Sequence, residues 1–249
     1  MIGQNFAVAV PIGFWHEDLP LTLRSLVAQN VTLEVALLDC SGDPRVQEAA
    51  NASGIDFVYR RHGPDAGQAF AIAEGWAHTQ ADILFWLNAD DRLINGALER
   101  VGAIFDAAPD CDVVFGGSYL VNAARERFGK HEQVSDISSL LLRSNTISQP
   151  SCFARRSAVE SVGGVDRNLH YVMDWDLWIR LYKSGARFIR IEDMLSEVYM
   201  GAGTKTERLS PGRMGEIFAL VNRHRGPWAA VKSTLSAFFE TFMKRGITR

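Results

Sequence analysis

Two short stretches place carboxylates where an apolar pattern would ordinarily continue. The segment "ILFWLNADDRL", residues 83 to 93, drives a nearly unbroken apolar run into Asn88, Asp90 and Asp91, and "MDWDLW" sets Asp174 and Asp176 at the head of an amphipathic segment. Adjacent acids repel, and the arrangement becomes favourable beside a hard divalent cation such as Mg²⁺ or Mn²⁺, which takes oxygen ligands. The same residues could instead form a polar turn in which Asp90 or Asp91 caps backbone ahead of a helix starting near Asn95. In the second stretch, spacings of three, four and seven put Asp174 on the face of Leu177, Trp178 and Leu181, directed at the body of the protein. An aspartate at the inner edge of an apolar face can also be an ordinary N-cap. Asp176, four residues before Arg180, reads as half of an exposed intrahelical ion pair.

The elements that must position these acids alternate along the chain. "FAVAVPI", a helix with Leu19, Leu23, Leu26 and Val27 on one face, and "LEVALLD" form a βαβ unit. A strand at 56–60, a helix from about Gly67 to His78 and the run 82–88 repeat it; a helix to about Ala108 and the strand "CDVVFGGSYLV" follow. Strands covered by helices on both faces lose their polar positions, which accounts for "VALLD" and "ILFWLN" and predicts a parallel α/β sheet. Ligands of such sheets bind beyond the carboxyl ends of the strands, where Pro11, Asp39 and residues 88–91 fall. Farther on, a short strand ends at Arg155 and Arg156 and leads into a helix stopped by Gly163 and Gly164. A second helix, carrying Asp174, is ended by Gly185 and followed by a strand.

With 249 residues the chain suits one large α/β domain. Its 26 basic and 29 acidic residues give a net charge of −3 and no general attraction to nucleic acid. Cys40, Cys111 and Cys152 are odd in number and widely spaced, fitting neither a disulfide framework nor paired metal ligands, so a reducing cytoplasm is expected. The start lacks a basic leader and reads as a first strand; no apolar run reaches membrane-spanning length, and there is no repeat.

Four segments in order, "VAVPIGFWHEDLPLTLRSLVAQ", "LLDCSGD", "DAGQAFAIAEGWAHTQADILFWLNADD" and "QPSCFARRSAVESVGGVDRNLHYVMDWDLWIRL", resemble the family 2 nucleotide-sugar glycosyltransferases and cover most of residues 6 to 183. The resemblance implies the GT-A fold: a mostly parallel, Rossmann-like sheet flanked by helices, with C-terminal helices. It implies an inverting transferase that uses a nucleoside-diphosphate sugar, UDP- or dTDP-linked, and a divalent metal, Mn²⁺ or Mg²⁺. The acceptor would be a hydroxyl of a glycan or a lipid-linked molecule, in surface polysaccharide or glycan assembly. By position, Pro11 borders the base, Asp39 contacts base or ribose, and Asp65, Gly67 and Gln68 line the nucleotide pocket. "NADD" takes the place of the DxD motif, so Asn88, Ala89, Asp90 and Asp91 face the donor, Asp90 binds the metal, and Asp91 helps through the sugar or from behind. Asp174 falls where the family keeps its catalytic base.

This sequence departs from the family pattern in three places. Asn88 replaces the leading acid of DxD, "DCSGD" differs from the usual loop after the second strand, and Met200 and Ala202 stand where an Arg and a metal-binding His are common. Lys205 could supply positive charge to the diphosphate instead. A GT-A-like binding or scaffolding module without catalysis is therefore an alternative. A nucleotidyltransferase is a remote one, since "PIGFWHEDLP" lacks a Gly-rich basic phosphate loop. Residues 1–206 would form the transferase domain and 207–249 a helical extension. In that extension Trp228, Val231, Leu235, Phe238, Phe239 and Phe242 recur at helical spacing, with Lys232, Lys244, Arg245 and Arg249 elsewhere. The stripe would pack on the domain or on a second subunit, or lie peripherally on a membrane surface.

Overall fold

The computed structural model describes residues 4–131, 137, 140–201 and 210–247, with side chains as far as 239. Ala202, Lys205, Phe242, Lys244, Arg245 and Arg249 thus lie outside the described side chains.

One sheet organises the chain. Its strands are β1 (Asn5–Ile12), β2 (Thr32–Asp39), β3 (Tyr59–His62), β4 (Ile83–Trp86), β5 (Arg92–Leu93), β6 (Val113–Val121), β7 (Arg127–His131), β8 (Cys152–Arg155) and β9 (Phe188–Tyr199). They lie in the order β3-β2-β1-β4-β8-β6-β9-β5, with β7 paired to β6 off that path. β1 is parallel to β2 and β4, β2 to β3, and β6 to β9; β8 is antiparallel to both β4 and β6, so β6 and β9 run with the first four strands. The expected mostly parallel α/β sheet is present. The order reverses at β1: the chain passes from β1 to β2 and β3 on one side, then crosses to β4 on the other, and in open sheets of this kind ligands bind beyond the strand ends at such a reversal. Pro11 is compatible with this central strand because β1 pairs with β4 only from Phe6 to Ala9, and beyond that only with β2.

Alternation along β1 builds two cores. Phe6, Val8, Val10 and Ile12 join Leu19, Leu23 and Leu26 of α1 (Leu19–Val27) and Leu98, Val101 and Phe105 of α4 (Ala97–Ala107). Ala7 and Ala9 face the other way, with Ala36 and Leu38, onto α3 (Gln68–Ala77) and α6 (Met173–Lys183). Small residues on that face let α3 lie almost against the strands: a Cβ added at Gly75 would sit 2.8 Å from Leu38, 2.9 Å from Ala9 and 3.3 Å from Ala36.

Several expectations need correction. The strand expected at 56–60 lies at Tyr59–His62; it is the edge strand, where polar residues are tolerated because Arg61 and His62 are held by ion pairs to Glu74, Asp65 and Asp39. Val27 is exposed, while Ser25 and Leu26 of the same turn are buried, so Val27 lies off the inward face. A helix not expected from the sequence, α2 (Pro44–Ala52), is started by Asp43, whose side chain caps Arg45 N, and by Pro44 at the first position. Asp176 is not an exposed partner of Arg180. The bond exists, at 2.7 Å, but Asp176 is only 1% exposed, because α7 (Pro211–Arg225) covers that face and brings Arg223 within 3.8 Å.

Helices α5 (Arg156–Ser161), α7 and α8 (Pro227–Ile247) complete the described chain. α7 buries Ile217, Leu220 and Val221 in the α6 side of the core, and α8 buries Ala230 there. Of the C-terminal stripe, Trp228, Val231, Leu235, Phe238 and Phe239 are exposed.

The substitution Gly75→Ala forces a methyl into the α3–sheet contact, and a loss of about 1–3 kcal/mol is expected in urea denaturation. Gly215→Ala, on α7 with open space around the added Cβ, serves as the control and should leave stability unchanged or slightly raised.

Candidate active site

β4 ends at Trp86, and Leu87 N still donates to Ala9 O (3.0 Å) before the chain turns away from the sheet. In the loop that follows, Asp91 N donates to Asn88 O at 3.2 Å, so this is a turn. Neither acid caps the next helix, however: the N-cap of α4 is Gly96, in the left-handed region with φ 72°. Asp91 is 3% exposed and spends both oxygens inside the protein. Oδ2 accepts from Asn88 Nδ2 at 3.0 Å and Oδ1 from the backbone N–H of Tyr199 at 3.2 Å, which ties this loop to the end of β9. Burial, and then the neighbouring Asp90 charge, push its carboxyl well above the usual carboxylate range.

Asn88 is the hub. Besides Asp91, its amide donates to Gln149 Oε1 (3.2 Å), while its carbonyl oxygen accepts from Gln68 Nε2 (2.7 Å). Gln149, in a 3₁₀ turn (Gln149–Ser151), in turn donates to Trp86 O at 2.7 Å. Behind it four buried hydroxyls interlock: Ser118 Oγ lies 2.6 Å from Ser148, 2.9 Å from Ser151 and 2.7 Å from Ser196, and Ser151 donates to Gly117 O. The family-type acid at position 88 would break this arrangement, since a carboxylate there would face Asp91 with no proton to donate.

Asp90 is different. Its carboxylate receives no hydrogen bond from another described residue, and its strongest charged neighbour is His16 of the β1–α1 loop. Burial raises its affinity for protons while His16 partly opposes this; burial in turn lowers that of His16. The His16 ring packs edge-on against Tyr199 (4.9 Å between centroids), so the ends of β1, β4 and β9 converge at Asp90.

On the β2 side, Asp39 is 3% exposed and accepts from Ser41 N (2.8 Å) and Ser41 Oγ (2.6 Å), with His62 Nδ1 3.0 Å away. Asp65 accepts from Arg61 (2.8 Å) and from Gly67 N (2.8 Å), fixing the entry to α3. Gly67, with φ 120°, is the N-cap of α3 in a conformation that needs glycine. Asp39 and Asp65 therefore fix the loops after β2 and β3, and Gln68 at the start of α3 bonds Asn88.

Asp174 occupies the first turn of α6, but the N-cap position belongs to Val172, with no side-chain cap, so the N-cap reading fails. Its Oδ2 accepts from Asn145 Nδ2 at 2.7 Å, and burial is the main cause that raises its carboxyl above the ordinary range. The turn is held from α7: Glu216 accepts from the backbone N–H groups of His170 (3.0 Å), Tyr171 (2.8 Å) and Val172 (3.2 Å). Four peptide units separate Asn145 from Gln149, so the partner of Asp174 and the partner of Asn88 lie within about 14 Å of each other. The sequence offered no sign of His16, Asn145, Gln149 or Glu216, because each acts across the fold on a distant residue.

Replacing Asn88 by Asp should cost about 1–3 kcal/mol at neutral pH. The loss should shrink as pH falls and a shared proton removes the repulsion, as read by denaturant unfolding at several pH values.

With this geometry established, known proteins can be compared. The profile of glycosyl transferase family 2 matches residues 15–163, well over half the chain. A 4,4'-diaponeurosporenoate glycosyltransferase of Staphylococcus haemolyticus is 30% identical over 103 residues, which cover 39% of this chain and 28% of that protein. Among solved structures, S. aureus TarS 1-349 superposes with TM-score 0.68 at 14% identity, over 95% of this chain and 72% of that one. The mannosyltransferase PcManGT of Pyrobaculum calidifontis, in complex with GDP-Man and Mn²⁺, gives 0.59 at 15% identity, over 96% and 75%. This chain spans little more than a quarter of the curated relative and 39% of a longer TarS chain. The sheet with its reversal at β1, the structural neighbours and the profile agree: the chain has the GT-A fold and belongs to glycosyl transferase family 2.

Proposed function

We propose that the chain is an inverting, metal-dependent glycosyltransferase. It would move a sugar from a nucleoside-diphosphate donor, UDP- or dTDP-linked, to a hydroxyl of a glycan or lipid-linked acceptor. What supports this reading is the family profile together with two acids: Asp90, whose carboxylate no other described residue satisfies, and Asp174, raised in pKa and bonded to Asn145, four residues before the Gln149 that bonds Asn88. Structures of TarS with UDP and with UDP-GlcNAc, and of the mannosyltransferase with GDP-Man and Mn²⁺, support a nucleotide-sugar donor.

The donor set suits a hard divalent cation. Asp90 offers oxygen beside a second acid that is already committed, and a cation relieves the repulsion between them. Among the described residues no three His, Cys, Asp or Glu side chains are grouped to hold a metal by themselves. Asp90 is thus the residue that would hold it, with diphosphate oxygens and water completing the set. When bound, Mn²⁺ or Mg²⁺ supplies Lewis-acid stabilisation of the departing diphosphate.

The chain's own residues do the rest. Gln68 and the Gly67 turn border the donor, while Asn88 and Asp91 hold the loop that aims Asp90. Asp174 accepts the proton of the acceptor hydroxyl, and Asn145 orients its carboxylate by donating to Oδ2. Attack on the face opposite the leaving diphosphate inverts the anomeric centre.

Asp174→Asn should leave nucleotide binding intact and lower kcat by at least about 100-fold; full turnover would refute the base. Because the working form of Asp174 is ionised and burial raises its pKa, kcat/KM should fall on the acid side at a pH above the ordinary carboxylate range. Asp90→Ala should weaken UDP binding in Mn²⁺ by at least about tenfold by calorimetry and leave metal-free binding little changed.

A further inference from the structure

The terminal hairpin of α7 and α8 differs chemically from the body that carries it. The whole chain has 26 Lys and Arg and 29 Asp and Glu, but residues 213–249 contain seven of the former and two of the latter. That leaves the hairpin and tail at +5 and everything before them at −8. On α8, Trp228, Val231, Leu235 and Phe239 recur at spacings of three, four and four, which places them on one face. They are 88%, 45%, 52% and 60% exposed. Ala230 is fully buried, and Ala229 and Ala237 pack with it against the core, so the apolar stripe points away from the domain. Lys232 is exposed beside the stripe, and Arg225 is exposed at the end of α7.

We propose that α8 docks this protein on an anionic lipid surface, its Trp, Leu and Phe side chains entering the acyl boundary and the basic hairpin meeting headgroup phosphates. Charge decides between the possible occupants. A second copy joined symmetrically through this face would oppose one net-positive terminal segment to another, and like charge across an interface is costly. An anionic bilayer complements the hairpin, while the −8 body is repelled from it, so the molecule is oriented with α8 toward the lipid. Insertion is peripheral, because none of the described helices is long and apolar enough to cross a membrane. The inference stands apart from the proposed transfer reaction, since it concerns partition and not turnover.

The test is flotation of the full chain with vesicles of phosphatidylcholine alone and of phosphatidylcholine mixed with phosphatidylglycerol, at low and high salt. The bound fraction should be at least about tenfold higher with the anionic vesicles and should fall with salt. The double variant W228S/F239S and the single variant K232E should each reduce it, with melting temperatures unchanged because these side chains are exposed. No enrichment on anionic vesicles, or enrichment that both variants leave intact, overturns the proposal. So does a dimer in light scattering that W228S/F239S dissociates while the wild type fails to float, which would assign the face to a second copy.

Discussion

A carboxylate 3% exposed to water can be kept only if the protein gives it donors, and Asp91 receives two, from the Asn88 amide and from the Tyr199 backbone. That requirement joins the end of β4 to the end of β9 and fixes the direction in which the loop leaves the sheet. It also accounts for the amide at position 88, which donates to the acid beside it and to Gln149 while accepting from Gln68. With Asp91 and Asn88 committed inward, Asp90 is left half-buried, with no hydrogen bond from another described residue. Two neighbouring aspartates thus divide their work by burial and bonding.

The same economy appears in the sheet. The antiparallel β8 lies between β4 and β6, and the 3₁₀ turn before it brings Gln149 beside Asn88. The four serines beneath are satisfied by one another and by Gly117 O, so the turn is anchored in a buried polar seam without any buried charge. On the opposite side, ion pairs and the Ser41 bonds tie together the ends of β2 and β3.

Much of this was legible in the residues. Helices α3 and α6 and strands β1 and β2 have regular periodicity and clear stop signals, and they lie where that periodicity puts them. The spacing also put Asp174 in the first turn of a helix, and it lies there, because helix geometry is local. Asp176 shows the limit of the same reasoning: its bond to Arg180 follows from a spacing of four, but its burial depends on α7, more than thirty residues later. β3 was displaced for a similar reason, since Arg61 and His62 look unlike strand residues until their partners Glu74, Asp65 and Asp39 are known. The two-residue β5 has too little pattern to be seen, and α2 was signalled only by its Asp43 cap and Pro44. Hydrogen bonds such as Gln149 to Asn88 and Asn145 to Asp174 join positions dozens of residues apart, where no periodicity operates.

Glu216 gives the terminal hairpin a mechanical consequence. One side chain of α7 grips three successive amides just ahead of α6, so the helix that carries α8 and the turn that carries Asp174 form a lever and its load. A force on α7, whatever applies it, reaches the segment ahead of α6 through three hydrogen bonds to one side chain.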